Sequence, residues 1–158
     1  MGFKELFNED FSASSSAHAR VNLIGEHTDY TGGYVLPSLL KFHTTVQISK
    51  NDEKKYQVYS ENFDEKKIFS DFIKSKNNDW LDYIKGCLFV FYDENKHIPN
   101  THLNIFISSN IPMGRGISSS SALCVGVLKS LNIFFNTSYS DKHIAILAQK
   151  VERNYIGV

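Results

Sequence analysis

Three short stretches of the 158-residue chain carry side chains of types that do chemistry. In the first, Arg20 precedes an apolar run that ends at Gly25, and Glu26, His27, Thr28 and Asp29 follow without a spacer. A row of directed donors and acceptors suits a polyhydroxylated small molecule, whose hydroxyls each need a partner. A polar turn around Gly32-Gly33 is one alternative. A metal site on His27 and Asp29 is another, although it lacks a second His or Cys at ligand spacing. The second stretch is SSNIPMGRGISSSSAL, residues 108–123. Gly114 and Gly116 leave the backbone uncovered, so a ligand can come close. Ser118, Ser119, Ser120 and Ser121 then place hydroxyls and unpaired N–H groups at a helix N-terminus, which suits phosphate. A first-turn hydroxyl can also ligate Mg²⁺. The loop is neither GxxxxGK[ST] nor GxGxxG, because Ser119 sits where the third glycine belongs. A plain N-capped helix after a glycine turn is the competing reading. The third feature is Glu152. On a helix it shares a ridge with Ala145, Ala148 and Ile156, so its carboxylate points inward and needs a partner such as a metal. The competing reading, which composition favours, is an exposed Glu paired with Arg153 or Lys150.

The elements that must position these groups are legible from periodicity. Residues 20–24, 34–39 and 43–49 read as strands, and 56–60 returns after the polar turn 51–55. Residues 66–70 and 102–108 complete the strand set. Between them Trp80, Ile84, Cys87, Leu88 and Phe91 recur at helical spacing. Residues 120–135 form a helix that is apolar on nearly all sides. Ser140 is the expected N-cap of a last helix running toward Tyr155. Strands first and helices after imply an α+β layer domain occupying residues 1–158.

Composition narrows the function classes. Lys+Arg and Asp+Glu both number 17, which excludes nucleic-acid or membrane-surface binding driven by bulk charge. No apolar run is long enough to span a bilayer, and residues 1–12 lack a signal-peptide core. The only two cysteines, Cys87 and Cys124, read as buried thiols in a reducing cytoplasm. The chain ends on Ile156-Gly157-Val158, inside an element-like pattern, so a piece of a longer protein is expected.

RVNLIGEHTDYTGGYVLP (20–37) resembles the galactokinase signature, placed within residues 10–40. PMGRGISSSSAL (112–123) resembles the ATP-binding loop of the GHMP small-molecule kinases, the loop itself being placed at residues 111–122. VERNYIGV (151–158) is similar to the start of a third galactokinase segment. The resemblance implies the GHMP-kinase N-terminal domain, also seen in ribosomal protein S5 domain 2, truncated before a C-terminal domain. It implies transfer of the ATP γ-phosphoryl group to the C1 hydroxyl of α-D-galactose, with Mg²⁺ as cofactor. Arg20 would stabilise developing charge. Glu26, His27, Thr28 and Asp29 would hold the sugar. Gly114, Arg115, Gly116, Ile117, Ser118, Ser119 and Ser120 would hold ATP, with a further nucleotide contact at Ser60. Ser120 and Glu152 would ligate Mg²⁺.

There are departures from the family pattern. Ala17-His18-Ala19-Arg20 replaces the usual A-P-G-R, which puts the turn that aims Arg20 in doubt, and Arg115 stands where a small residue is usual. The family's catalytic aspartate would fall beyond Val158. A galactokinase fragment, inactive by itself, is therefore the leading expectation. It would self-associate through apolar surface that a missing domain leaves open. A non-catalytic galactose and ATP sensor is the alternative, as is a kinase for N-acetylgalactosamine, arabinose or galacturonate.

Overall fold

The computed structural model describes residues 1–25, 31–75, 79–112 and 118–157. A short helix α1 (Phe3–Phe7) leads into β1 (Ala13–Ile24), β2 (Leu36–Lys50), β3 (Tyr56–Ser60) and β4 (Glu65–Phe69). Helix α2 (Trp80–Glu94) then precedes β5 (Leu103–Ser109), helices α3 (Ser119–Phe135) and α4 (Asp141–Lys150), and a π-helical turn, Val151–Ile156. The five strands form one sheet in the order β1-β2-β5-β3-β4. Only β3 and β5 run parallel; the other neighbours are antiparallel.

The alternation of side chains along the strands decides which face is covered. Val46, Ile48, Val58, Ile105 and Ile107 point to one side, where Ile84, Leu88 and Phe91 of α2 meet Leu128 and Leu131 of α3 and Ile144 and Leu147 of α4. Cys87 and Cys124 lie inside this core as free thiols, and burial together with Cys124 pushes the Cys87 thiol well up. On the opposite face Phe3 of α1 seals a small cluster with Tyr59 and Phe106. The α+β expectation holds.

Helix α1 goes unread in the sequence, and three further elements differ from the sequence reading, the first two because of tertiary pairing. Strand β1 starts at Ala13, so the serine-rich segment is strand. Ser15 Oγ donates to the Gly126 carbonyl at 2.8 Å and lies 2.9 Å from Ser130 Oγ, while Ser16 and Thr45 pair their hydroxyls on the other face. Small side chains let α3 approach, and pairing with β2 outweighs the weak strand propensity of serine. Residues 36–50 form one continuous strand, with Pro37 tolerated near its start opposite Asn22. The last helix stops being α-helical at Lys150. The Gly157 N–H reaches back to the Glu152 carbonyl at 2.8 Å, with Gly157 at φ 89°, which only glycine adopts cheaply. The Ser140 cap is as read, accepting from the His143 N–H at 3.2 Å.

Strand β5 covers β2 only from Thr44 to Lys50. Residues 20–24 of β1 and 36–40 of β2 therefore pair only with each other, as a two-stranded ribbon that projects past the sheet.

Candidate active site

The start of α3 and the π-helical turn meet over the end of the sheet. Ser120 Oγ donates to Glu152 Oε1 at 2.9 Å, and Ser121 Oγ donates to the same carboxylate at 3.0 and 3.3 Å. More than thirty residues of chain separate the partners, so only the tertiary fold brings them together. Glu152 thus points inward, and the exposed-pair alternative fails, because Lys150 instead reaches Glu94 at 3.1 Å. The ridge is only partly as read: Ala148 and Ile156 are buried, but Ala145 faces solvent. The wider π turn shifts the side chains after Lys150, and such turns recur at functional sites.

Backbone geometry prepares the helix end. Ser118 takes the left-handed conformation (φ 59°, ψ 43°), and its side chain makes no capping hydrogen bond. The plain N-cap reading is therefore set aside: the serine run does not close the helix end in the usual way. Its first-turn N–H groups and positive dipole end lie at this terminus.

Beside these serines lies a cavity of about 250 Å³. Trp80, Tyr83, Phe63 and Leu123 form apolar walls, and Ser60, Thr44, Ser109 and Asn62 supply polar groups. Phe63 stacks on Trp80 at 5.6 Å and 14°, while the Trp80 indole N–H donates to Glu65 at 3.1 Å. Asn62 clamps the end of β5: its Nδ2 donates to the Ser109 carbonyl at 2.6 Å and its Oδ1 accepts from the Ser109 N–H at 2.9 Å. Burial, with Cys124, Glu152 and Asp82 adding, holds the Tyr83 hydroxyl above its ordinary value. Under this wall sits Asp82, which accepts from Ser75 N–H and Oγ and from the Asp79 N–H. Desolvation opposes its charge, but these hydrogen bonds outweigh it, and its pKa lies below the ordinary value.

Arg20 stands half-exposed at the root of the β1–β2 ribbon, opposite Leu39 and just past a register shift after His18. Ala17 and Ala19, from the segment that departs from A-P-G-R, are buried in one cluster with Ile111 and Ala122. Ala19 is fully enclosed. That packing ties the strand bearing Arg20 to the first turn of α3. His18-Ala19 continues the strand through a bulge, which re-aims the following side chain.

Of the sequence-read residues, Arg20, Ser60, Ser118, Ser119, Ser120 and Glu152 are placed. Ser119 and Ser120 line the cavity together with Ser60. Glu26, His27, Thr28, Asp29, Gly114, Arg115, Gly116 and Ile117 lie outside the described residues. Sequence reasoning missed Ser121 as a partner of Glu152. It also missed Asn62, Phe63 and Tyr83, and took Trp80 as one more apolar position of a helix. The available signal was weak: Asn62 and Phe63 follow Ser60 closely, and Tyr83 lies three residues after Trp80, on the same helix face.

Comparison with known proteins bears on the family of the chain. The profile of the GHMP kinases N terminal domain matches residues 82–158, and that of the galactokinase galactose-binding signature matches residues 1–50. A galactokinase of Pyrococcus furiosus is 42% identical over 88% of this chain, and one of Lacticaseibacillus casei is 36% identical over 99%. The chain spans only 38% and 41% of their lengths. The crystal structure of Lactococcus lactis galactokinase complexed with galactose superposes with a TM-score of 0.88 at 33% identity, over 99% of this chain and 41% of that one. The Methanococcus jannaschii mevalonate kinase shares the fold, with a TM-score of 0.80 at 24% identity.

Proposed function

Since the chain belongs to the galactokinase family of the GHMP kinases, we propose that it forms the N-terminal, nucleotide-holding part of a kinase that phosphorylates galactose at C1 with MgATP. The observation that carries this reading is the contact of Ser120 and Ser121 with Glu152 at the open start of α3.

In this reading the 158 residues are one GHMP N-terminal domain. The nucleotide base takes the cavity between Trp80, Tyr83 and Ser60, where flat apolar walls suit stacking and a few hydroxyls fix orientation. The phosphates lie over Ser118, Ser119 and Ser120, against the helix N-terminus, with Gly114, Arg115, Gly116 and Ile117 completing the cradle. Two hydroxyls and a carboxylate facing one another are all-oxygen donors of the kind a hard divalent cation takes, so Ser120 and Glu152 fit Mg²⁺. When bound, Mg²⁺ neutralises charge on the phosphate oxygens. Glu26, His27, Thr28 and Asp29 hold the sugar hydroxyls. Arg20 supplies fixed positive charge near the transferring phosphoryl group. ATP use and reduced, buried thiols favour the cytoplasm, and among the described residues no helix is long and apolar enough to cross a membrane.

The chain spans about two fifths of the length of its galactokinase relatives, and in this reading the rest of a protein of that length supplies the base that deprotonates the sugar hydroxyl. The apolar side chains of the β1–β2 ribbon then pack against the rest of the longer protein, and the chain alone self-associates through them.

Calorimetry of the 158-residue chain tests the assignment. MgATP should bind, and Glu152→Gln should weaken it by at least about 10-fold, the low end of what losing even an outer partner costs at a metal site. Unchanged affinity in that variant, in a chain shown folded by circular dichroism, defeats the assignment. The chain alone should phosphorylate galactose only at background rate, and the longer protein should do so at an ordinary kinase rate.

A further inference from the structure

A second group of ligand-type side chains lies outside this site. His18 and His43 are direct partners across the β1–β2 ladder. Their ring centroids are 5.7 Å apart, with the planes inclined at 57°. Both sit on the sheet face away from α2, α3 and α4. The neighbouring pair Ser16–Thr45 shares that face, while Ala17, Ala19 and Thr44 point into the protein. Nδ1 of His18 lies 2.9 Å from the Leu40 carbonyl, and Nδ1 of His43 lies 3.4 Å from the Lys41 carbonyl. A carbonyl only accepts, so each Nδ1 donates there and Nε2 is the nitrogen left to face a metal. Imidazoles that bind metals through Nε2 have this tautomer, and a carbonyl behind Nδ1 holds it.

The spacing is close to what one shared ion needs. With metal–nitrogen distances of about 2.0–2.1 Å, each ring centre stands about 3.2 Å from the ion, and a tetrahedral angle separates the centres by about 5.2 Å. The observed pair must close by roughly half an ångström, well within the side-chain freedom of two surface rings. Nitrogen donors select against Mg²⁺ and for the later first-row metals. Among the described residues no group of three or more His, Cys, Asp and Glu could hold a metal ion, so His18 and His43 act as a pair.

We propose that His18 and His43 form a two-histidine chelate for a late first-row divalent cation, Zn²⁺, Ni²⁺ or Cu²⁺, that clips β1 to β2. The site is independent of the kinase reading. It is exchangeable rather than structural, since closed structural sites use four protein ligands. Its position gives it leverage. His18 immediately precedes the bulge before Arg20. The His43 N–H donates to Asn110 Oδ1 at 2.7 Å, and its carbonyl accepts from the Asn110 N–H at 3.2 Å, where the chain turns toward the serine-rich loop. An ion at this point therefore stiffens both approaches to the cavity end of the sheet.

The test is titration of the untagged 158-residue chain with NiCl₂ and with ZnCl₂ in a non-chelating buffer, followed by calorimetry and by thermal melting. One ion per chain should bind and raise the melting temperature, and MgCl₂ at the same concentration should not reproduce the shift. His18→Gln and His43→Gln should each weaken binding by at least about 10-fold. His97→Gln, His102→Gln and His143→Gln should leave it unchanged. Both key positions are on the surface, so the variants should keep the circular dichroism of the parent, which shows that any loss is loss of a ligand. Equal affinity in either key variant overturns the chelate. So does absence of binding by the folded parent, and so does binding seen only together with metal-induced dimers, which would mean an ion shared between chains.

Discussion

The cavity end of the sheet and the β1–β2 ribbon make opposite demands on the rest of the protein. At the cavity end, every wall is held from within the chain. Asp82 caps α2 beneath Trp80 and Tyr83, Asn62 clamps Ser109, and Glu152 is gripped by two serines from a different helix. On the ribbon, Leu23, Ile24, Leu36 and Leu39 stand 62, 67, 52 and 73% exposed. Two strands without a third neighbour bury little, and such a pair is marginal in water. The difference teaches where a site can be preorganised by local packing and where it cannot. The cavity end is held by packing within the chain, whereas Arg20, at the root of the ribbon, has firm support only on the side of Ala17 and Ala19.

Substitutions can sharpen or break that contrast. The largest effect on ligand affinity is expected from Trp80→Ala. Losing one base–aromatic stack costs about 1–3 kcal/mol, so MgATP affinity measured by calorimetry should fall by roughly 5- to 150-fold. A fall below twofold would show that the cavity is not the base site.

Next comes Asp82→Asn, which should cost about 1.5–3 kcal/mol of unfolding free energy at neutral pH, since it removes a buried charged acceptor. The pH dependence follows from the lowered pKa. A carboxylate held below its unfolded value stabilises the fold above that value and loses this contribution as the pH falls through the folded one. The parent should therefore lose stability below about pH 4, and the gap between parent and variant should narrow there. Denaturant melts at pH 7 and below pH 4 read both quantities, and a gap that widens in acid contradicts the assignment.

Gly86→Ala should have a smaller effect. An added Cβ would stand 2.8 Å from Tyr155 Cδ1 and 2.9 Å from Val151 Cγ1, which are ring and branch atoms that cannot swing aside. Overpacking of about 1–3 kcal/mol is partly offset by the roughly 1 kcal/mol that alanine gains over glycine in a helix. The net loss should lower the thermal midpoint by several degrees. Because the clash bears on the π-helical turn, MgATP affinity should weaken with it.

Leu39→Ser should do least, within about 0.5 kcal/mol of the parent in the same melts, because an exposed leucine on the ribbon contributes little burial to give up. It should also reduce self-association on size-exclusion chromatography. A loss of several kcal/mol would mean that the ribbon is packed after all, and the contrast between the two regions would collapse.

Much of this was legible in the order of residues. Alternation along 43–49 and 102–108, helical spacing from Trp80 to Phe91 and the Ser140 cap all report local geometry that a side chain cannot escape. The site motifs were legible for a related reason: glycines and serines before an apolar helix have a backbone meaning wherever they occur. The ridge at Glu152 offers an inward carboxylate against the exposed pair that composition favours, and its partners are not legible at all. Nothing near position 152 says that Ser120 and Ser121 lie across from it, and nothing near Ala13 says that serines there will be a strand. Those facts depend on contacts between distant segments: α3 lying close over β1 and β2, and a π turn that rotates one carboxylate by a fraction of a turn. The sequence by itself determined most of the element types and the family resemblance, because each is set within a few residues. Only the tertiary structure decided which carboxylate meets which hydroxyl, that aromatic walls close a cavity beside them, and that two histidines face each other across a ladder, because register and packing are properties of the whole sheet.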